Sequence, residues 1–360
     1  MSNPPIAPTS TSDGDAHVSW PTQQRQFQFT QWLAGLPADL GLQPATLRLA
    51  SADASFRRYL RLESTRGSLI IMDAPPDKED CKPFVHVDLL MQQAGVRVPE
   101  VLAWEQSQGF LLLTDLGAKT LLQSMDLAGE PPLAQYMEAV DILIQWQLAS
   151  KPGVLPPYDV ALLRRELDLF PQWYVAQHRK VTLDDKQAKV LEQAFSRIIE
   201  NNLNWPSVYV HRDFMPRNLM VSTLGLGVLD FQDAVYGPIT YDIASLMRDA
   251  FLTWDEEFCL DVTIRYWQKA RKAGLPVGDD FGSFYQGVEW MGLQRHLKIA
   301  GIFARLTLRD GKPQYLADTA RFIHYIRSTC SRYMALKPLL RLVEAIEGIE
   351  VPTAFVFGKF

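Results

Sequence analysis

The chain has 360 residues, of which 47% are hydrophobic and 21% are charged, and its formal net charge is -5. The length suffices for one large two-lobed domain or two domains, and the composition is that of an ordinary globular protein. The acidic balance excludes a general electrostatic attraction to nucleic acid or to an anionic membrane, and no apolar window approaches the ~18 residues of a membrane-spanning helix.

The N-terminal residues 1–24 are rich in Pro, Ser and Thr and carry neither the basic nor the apolar segment of a signal peptide. We expect them to form a disordered tail. The three cysteines, Cys81, Cys259 and Cys330, match neither a disulfide framework nor a zinc site, which favours a reducing compartment. We therefore expect a soluble, cytoplasmic protein with no nucleic-acid, membrane or obligate protein partner.

Residues 25–113 predict a small lobe built mainly from strands. A first helix, FQFTQWLAGL, ends before Pro37, because proline does not continue a helix. Apolar and β-branched runs then indicate strands, and a single helix interrupts them, with Pro in its first turn and Gly just beyond its end. The predicted strands are 45–50, 55–64, 68–75, 100–104 and 109–115, and the interrupting helix is 83–95.

Residues 114–360 show mostly helical periods and predict a second, larger lobe. One strand–loop–strand segment, residues 207–233, interrupts the helices. Strands followed by helices indicate the α+β class. The predicted helices are 133–149, 161–178, 184–203, 240–251, 256–271, 283–306 and a segment from about 314 to 348.

The interrupting segment carries the residues with chemical potential. HRDFMPRN (211–218) follows the apolar run SVYV, and a second apolar run ends in LDFQD. Phosphoryl transfer depends mainly on positioning and charge neutralisation. Asp213 can accept the proton of an attacking hydroxyl, and the side-chain oxygens of Asn218 and Asp230 can hold Mg²⁺, which prefers oxygen ligands. A lone Asp or Asn in a loop usually forms a turn or a cap, but the joint pattern predicts an ATP-dependent phosphotransferase.

The motifs HRDFMPRN, LDFQD and YDIASL resemble the aminoglycoside phosphotransferase and choline kinase superfamily. SADASFRRYLRL, IIMDAPP, LLLTDLG and GLQRHLKIAGIFARL further resemble the bacterial anomeric kinases of N-acetylmuramate and N-acetylglucosamine, over roughly residues 25 to 350. The resemblance implies a protein-kinase-like α+β fold, with a small antiparallel-sheet N-lobe and a large, mainly helical C-lobe. It also implies that ATP phosphorylates the C1 hydroxyl of a cell-wall amino sugar.

Two residues of this region are expected to support the site. The resemblance implies that Asp242 anchors the backbone of the catalytic loop, the alternative being a simple acidic residue at a helix N-terminus. His211 is expected to pack and form hydrogen bonds within its loop rather than to titrate in catalysis.

Two features argue against a protein kinase. Met215 stands where Ser/Thr kinases have a catalytic-loop Lys, and QDAVYGPITYD leads from Asp230 directly into a helix, without a long activation segment. Two alternatives remain. One is a kinase of an aminoglycoside or choline, which the basic block QRHLK disfavours. The other is a kinase-like binding module, which the intact set Asp213, Asn218 and Asp230 disfavours.

The nucleotide-binding residues are less clearly marked, because the sequence has no Gly-rich phosphate loop and no strand Lys. Met72 or Asp73 stands where that Lys is expected. We hypothesise that Arg58 contacts the ATP phosphates and that Asp88 or a nearby acid orients it, the alternative being that both residues are solvated. The small-residue turn SADASF, with Ser55, can bring backbone N–H groups to phosphate oxygens. The candidates are Ser55, Arg58, Met72, Leu113, Thr114, Asp115 and Leu116, the last four beside the adenine.

The candidate acceptor site is the helical stretch EWMGLQRHLKIAGIFAR. Arg295 and Lys298 are predicted to lie off its core stripe and His296 along the edge of that stripe. A cationic rim beside an aromatic platform such as Trp290 suits a sugar that carries a carboxylate, because Arg binds carboxylates bidentately. The alternative is that His296 is a hydrogen-bonded half-core residue and the cations are solvated.

Overall fold

The computed structural model describes residues 18–52 and 56–349. The chain divides into two compact units. Among the described residues, the first contains those up to Leu89 and Val98–Gly117, and the second contains Leu90–Arg97 and those from Ala118 onward. The predicted N-lobe, residues 25–113, ends a few residues before the observed division after Gly117. It also includes Leu90–Arg97, which belong to the second unit.

Hydrogen bonds explain why Leu90–Arg97 belongs to the second unit. The carbonyl of Arg97 accepts from the N–H of Val228 at 2.8 Å. The Arg97 guanidinium donates to Ser222 Oγ at 2.6 Å and to the carbonyl of Gly225 at 3.0 Å. The Arg97 side chain thus binds this segment to the hairpin that contains Ser222 and Gly225, more than a hundred residues along the chain. Composition does not reveal such a contact.

The first unit is an antiparallel sheet of five strands in the order β1-β2-β3-β5-β4. Alternation along the strands puts Leu60 and Leu62 in the core beside Phe29 and Phe110. The strands are β1 (Leu42–Ala52), β2 (Arg58–Ser64), β3 (Gly67–Asp73), β4 (Val101–Glu105) and β5 (Phe110–Thr114), with helices α1 (Gln23–Ala34) and α2 (Lys82–Gln93), whose last turn enters the second unit.

A buried carboxylate at the end of β3 joins α1 to the sheet. Asp73 accepts from Arg25 Nη2 at 2.6 Å and from Arg58 Nε at 3.1 Å. The Arg25 guanidinium lies 3.9 Å from the ring centre of Phe110, and that of Arg58 lies 4.7 Å from the ring centre of Trp20. Two cations therefore compensate one buried anion, and aromatic rings cover both of them.

These contacts correct the predicted extent of the N-terminal tail. Thr22 caps α1 by accepting from the N–H of Arg25, and the carbonyl of Ser19 accepts from Arg58 Nη1 at 2.6 Å. Val18 and Trp20 pack against the core of the first unit. Residues 18–24 are thus part of the folded unit, and residues 1–17 lie outside the described residues.

The second unit is mainly helical, as predicted. Its helices are α3 (Leu121–Ser124), α4 (Leu133–Leu148), α5 (Val160–Leu167), α6 (Asp185–Leu203), α7 (Thr240–Met247), α8 (Glu256–Lys272), α9 (Phe281–Leu308), α10 (Thr319–Arg332) and α11 (Lys337–Glu347). Its short strands are β6 (Lys119–Thr120), β7 (Ser207–Val210), β8 (Leu219–Ser222), β9 (Gly225–Val228) and β10 (Val235–Pro238), paired as β10-β7 and β6-β8-β9.

Two predicted helices are divided in the structure. The segment predicted at 161–178 is α5 followed by a π-helix, Phe170–His178, whose second residue, Pro171, has no N–H to donate to an α-helical ladder. The segment from about 314 comprises a 3₁₀ turn at Pro313–Asp318, then α10 and α11. Within the described residues, no helix is both long and apolar enough to cross a membrane.

The helix α9 is buried on all sides rather than along one stripe. Every residue from 287 to 301 is buried. Two glycines allow this, because neighbouring groups lie against the helix backbone where a side chain would be. A Cβ at Gly287 would meet the indole of Trp205 at 2.2 Å, and one at Gly301 would meet the backbone of Leu169 at 2.4 Å. Charged residues on α9 are therefore directed into the protein interior.

The Asp73→Asn substitution tests the ion cluster of the first unit. It leaves Arg25 and Arg58 largely buried without their shared anion, and we expect the free energy of unfolding to fall by about 3 kcal/mol. Glu63→Gln is the control, because it breaks an exposed pair with Arg48 on the same sheet and should cost less than ~0.5 kcal/mol. Urea unfolding followed by circular dichroism measures both, and equal losses would contradict the assignment.

Candidate active site

The predicted catalytic loop follows β7 and has unusual backbone geometry. Arg212, immediately before Asp213, has φ 78°, and Asp230 has φ 63°. Residues other than glycine occupy this left-handed region at a cost of roughly 1–3 kcal/mol, and such residues cluster at functional sites. Arg212 precedes the predicted base Asp213, and Asp230 is itself a predicted metal ligand. Both strained residues therefore belong to the region predicted for phosphoryl transfer.

The loop brings the three predicted residues together. Asn218 lies in a 3₁₀ turn, and its Nδ2 donates to the backbone carbonyl of Asp213 at 2.9 Å and to Asp230 Oδ2 at 3.4 Å. Gln232 Nε2 donates to Asp230 Oδ1 at 2.9 Å. One amide side chain thus connects the candidate base to the candidate metal ligand.

The donor set fits magnesium. Both contacts of Asn218 use Nδ2 and leave its oxygen, the atom that binds a hard cation, outside them. The Asp230 carboxylate lies beside this amide. No cluster of three or more His, Cys, Asp or Glu that could hold a metal occurs among the described residues. The remaining Mg²⁺ ligands would be waters and substrate phosphates, which is how proteins commonly bind this ion.

Asp242, in the first turn of α7, holds the backbone of the loop. Its carboxylate accepts from the N–H of His211 at 2.7 Å and from the N–H of Arg212 at 3.0 Å. These are the contacts that the resemblance implies. Complete burial raises the pKa of Asp242 to about 7, although the two backbone hydrogen bonds act to lower it.

His211 forms hydrogen bonds within its own loop. Nδ1 accepts from the N–H of Asp213 at 3.2 Å, so Nε2 carries the proton and donates to the carbonyl of Leu229 at 2.9 Å. Burial lowers the pKa of His211 to about 4. The neutral ring therefore links two loop segments, in line with the structural role expected of it.

Three cations surround Asp213. Burial acts to raise the pKa of Asp213, but Lys298, Arg295 and Arg212 act in the opposite direction and the net pKa is lowered. Asp213 is consequently ionised at neutral pH, as a carboxylate that accepts a hydroxyl proton must be.

Arg295 and Lys298 do not lie outside the core, as the sequence predicted for a cationic rim. Both are buried on α9. Arg295 Nη1 donates to the carbonyl of Arg212 at 2.6 Å, and Lys298 Nζ lies 3.0 Å from Glu166 Oε1 and 3.3 Å from Tyr241 Oη. The predicted placement off the core stripe and the alternative of solvated cations are both wrong, because α9 is surrounded by protein. The cations instead support the catalytic loop from within.

His296 and Trp290 are also core residues. His296 is stacked on Tyr325 at 4.5 Å between ring centres, and its Nε2 lies 3.2 Å from the carbonyl of Arg248. Burial, with the charge of Arg295, lowers the pKa of His296 to about 3. Trp290 is buried and packs edge-on against Tyr333. The burial of Trp290 contradicts its prediction as an aromatic platform for the acceptor. His296 follows the alternative of a hydrogen-bonded histidine, but it is buried in the core rather than half-buried.

The sequence reasoning missed Glu166, on α5, which joins the charges of this region. Its Oε1 accepts from Arg212 Nη2 at 2.5 Å and from Lys298, while Oε2 accepts from Gln294 Nε2 at 2.9 Å and from the hydroxyl of Tyr158. Burial acts to raise its pKa, but Lys298 and Arg212 outweigh burial and lower it to about 2. A signal was present, because in ALLRRELDLF the acid occupies the apolar stripe of Leu163, Leu167 and Phe170.

In the first unit, the acid that holds Arg58 is Asp73 and not Asp88. Asp73 occupies the end of the strand where a phosphate-binding Lys was expected. Asp88 is fully buried on α2, so the alternative in which both residues are solvated is wrong. The side chain of Arg58 is 21% exposed.

The other nucleotide candidates lie on or next to β3 and β5. Met72, Leu113 and Leu116 are buried. Thr114 Oγ1 accepts from the N–H of Glu100 at 2.8 Å. Asp115 accepts from Arg61 Nη2 at 3.0 Å, from Ser68 Oγ at 2.6 Å and from the N–H of Gly117 at 3.0 Å. These contacts fix the segment after β5. Ser55 lies outside the described residues.

Residues 46–279 match the sequence model of the phosphotransferase enzyme family. The chain belongs to this family. It is 47% identical to the N-acetylmuramate/N-acetylglucosamine kinase of Neisseria meningitidis, over 93% of this chain and 100% of the relative. It is also 47% identical to the protein of the same name from Pseudomonas aeruginosa, over 85% of this chain and 90% of the relative. The predicted phosphotransferase activity and the predicted family are confirmed.

Solved structures of members of related kinase groups share the fold. A choline/ethanolamine kinase family protein from Mesorhizobium loti has a TM-score of 0.59 at 15% identity, covering 89% of this chain and 99% of that chain. An ethanolamine kinase from Plasmodium vivax has a TM-score of 0.58 at 10% identity, covering 86% and 89%. The predicted kinase-like α+β fold is therefore confirmed.

Acid unfolding tests the assignment of His296 as a neutral core residue. With a folded-state pKa of about 3 and an ordinary value of 6.5, the unfolded chain binds this proton first as the pH falls. The stability conferred by the neutral ring is complete above pH 6.5 and is lost toward pH 3. His296→Phe should make the free energy of unfolding fall less steeply over this range, by up to about 1.4 kcal/mol per pH unit.

Urea unfolding at a series of pH values measures this slope. Tyr325→Phe is the matched control, because it changes the same ring stack and removes no group that titrates in this range. Parallel pH profiles for His296→Phe and the wild-type protein would show that the ring is protonated in the folded state.

Proposed function

We propose that the protein is an ATP- and Mg²⁺-dependent kinase that phosphorylates the C1 hydroxyl of N-acetylmuramate or N-acetylglucosamine. The observation that carries the proposal is that the side-chain amide of Asn218 donates both to the backbone carbonyl of Asp213 and to the carboxylate of Asp230. These contacts lie in a segment with strained backbone at Arg212 and Asp230. The names of two relatives that are 47% identical over most of both chains support the choice of sugar. We assign the reaction to the cytoplasm, where ATP is available, in the recycling of peptidoglycan sugars.

In the proposed reaction Asp213 binds and orients the acceptor. Its carboxylate accepts the proton of the sugar hydroxyl while the hydroxyl oxygen forms a bond to the γ-phosphorus, and the bond from that phosphorus to ADP breaks. Asn218 and Asp230 would hold Mg²⁺, which would neutralise phosphate charge when bound. Asp242, through the backbone of His211 and Arg212, keeps the carboxylate in place.

We propose that the first unit binds the nucleotide. Leu113, Thr114, Asp115 and Leu116 follow one another along the end of β5 and the segment after it, where they offer backbone polar groups and apolar surface to adenine. Met72 lies on the adjacent strand β3, paired with β5. Arg58, oriented by Asp73 and partly exposed, is the proposed phosphate contact.

The electrostatics of the second unit disfavour a cationic acceptor. Arg212, Arg295 and Lys298 act together on Asp213. Choline and aminoglycosides carry positive charge, and these three cations repel such an acceptor, although Glu166 compensates part of the charge of Arg212 and Lys298. A neutral or anionic amino sugar avoids this repulsion.

Asp213→Asn tests the proposed base. We expect kcat to fall by about 10²–10⁴-fold, because the amide cannot take the hydroxyl proton. A coupled assay of ADP release, with N-acetylmuramate, N-acetylglucosamine, an aminoglycoside and choline as acceptors, measures turnover, and phosphorus NMR identifies the phosphorylated position. Robust turnover by the variant would overturn the mechanism, and wild-type turnover with choline alone would overturn the substrate.

Asp230→Asn tests the proposed metal ligand. Asn tolerates the left-handed backbone of this position, so the fold should be retained while one ligand charge is lost. We expect the Mg²⁺ concentration that gives half-maximal activity to rise at least about tenfold, since ligand charge sets affinity for such cations. Asp233→Asn, an exposed acid three residues away, is the control and should leave the Mg²⁺ dependence unchanged. The same Mg²⁺ dependence in both variants would exclude Asp230 as a ligand.

A further inference from the structure

Arg212 is held by three helices through three different groups. Its N–H donates to Asp242 of α7, at 3.0 Å. Its carbonyl accepts from Arg295 of α9, at 2.6 Å. Its guanidinium donates to Glu166 of α5, at 2.5 Å. A residue with φ 78° persists only if its surroundings determine its conformation, and these contacts supply that determination.

Of these three contacts, the one made by Glu166 acts on the side chain of Arg212, and it pairs the guanidinium with a carboxylate. Arg212 and Lys298 share Oε1 of Glu166, so one buried carboxylate compensates two largely buried cations. Tyr158 and Gln294 donate to Oε2, which fixes the orientation of the carboxylate. Without Glu166, both cations would lose the anion they share in a region where water provides little compensation.

Asp213 follows Arg212 directly, so the position of its carboxylate depends on how Arg212 is held. In kinases whose activation loop is ordered by phosphorylation, arginines receive their anion from a modified residue. Here the anion is part of α5. We propose that Glu166 is a positioning residue for phosphoryl transfer: it holds Arg212, and through it Asp213, in the reactive arrangement without any phosphorylation of the protein. This inference rests on the proposed role of Asp213.

Glu166→Gln is the first test. Glutamine keeps the size of the side chain and removes its charge, so Arg212 is held less firmly. We expect kcat to fall by about 10–100-fold, the scale of a displacement of the reacting group by an ångström, with the KM values for ATP and for the sugar changed by less than about threefold. An unchanged kcat, or a loss confined to KM, would overturn the proposal.

Glu289→Gln is the matched control. Glu289 is also a buried carboxylate of the second unit that pairs with one arginine, Arg332, and one tyrosine, Tyr333. We expect it to lower the melting temperature about as much as Glu166→Gln and to leave kcat unchanged. An equal loss of kcat in both variants would show that Glu166 acts only through general stability.

A double-mutant cycle identifies the route of the effect. If Glu166 acts through Arg212, then Arg212→Gln should lower kcat by itself, and the double variant should be no slower than the slower single variant. Additive losses would overturn the route through Arg212. If Glu166→Gln does not fold, Arg212→Gln decides alone, and wild-type kcat in that variant would overturn the proposal.

The Asp213→Asn variant separates the two levels of the hypothesis. An inactive Asp213→Asn together with a wild-type kcat in Glu166→Gln would overturn only the positioning role. An active Asp213→Asn would overturn the proposed function itself. We expect full turnover from protein that mass spectrometry shows to carry no phosphate on Ser, Thr or Tyr. A requirement for such a phosphate would overturn the proposal that Glu166 supplies the anion for Arg212.

Discussion

The arrangement of the candidate active site depends on one buried carboxylate, Asp242, which accepts hydrogen bonds from the backbone of the predicted catalytic loop. Asp242 accepts the N–H groups of His211 and Arg212, and these two bonds hold a segment whose next residue is the proposed base. Burial of the carboxylate is costly, as the rise of its pKa to about 7 shows, so the surrounding structure must compensate it. Together with the contacts of Arg295 and Glu166, this anchoring holds the strained φ of Arg212 and hence the position of Asp213.

The same physical rule recurs in each unit: a buried anion is retained where more than one donor satisfies it. In the second unit Glu166 compensates Arg212 and Lys298. In the first unit Asp73 compensates Arg25 and Arg58. The consequences differ. The cluster around Asp73 joins a helix and the chain before it to a sheet. The cluster around Glu166 joins α5 and α9 to the predicted catalytic loop. A buried ion pair of this kind adds little net stability over a well-packed apolar core, but removal of one partner is strongly destabilising.

Charge around Asp213 also shapes the chemistry. Arg212, Arg295 and Lys298 keep the carboxylate ionised in a buried environment that would otherwise favour its protonated form. These three cations attract an anionic phosphoryl group in transfer and repel a cationic acceptor, although Glu166 compensates part of their charge. The α9 helix provides two of these cations, and it can do so because glycines at 287 and 301 allow it to be enclosed by other elements.

The sequence by itself determined the chemistry: Asp213, Asn218 and Asp230 are recognisable because phosphoryl transfer requires those groups at short range along the chain, within one loop and one strand. It also determined most strands and helices, since their periodicity is local. Tertiary structure decided the contacts between residues that are distant in sequence. Periodicity placed His296 along the edge of a core stripe of α9 and Arg295 off that stripe. The burial of the helix on all sides depends on elements distant in sequence. The partner of Arg58 and the role of Glu166 were likewise decided by packing, because an ion pair between residues on different elements leaves no spacing in the sequence.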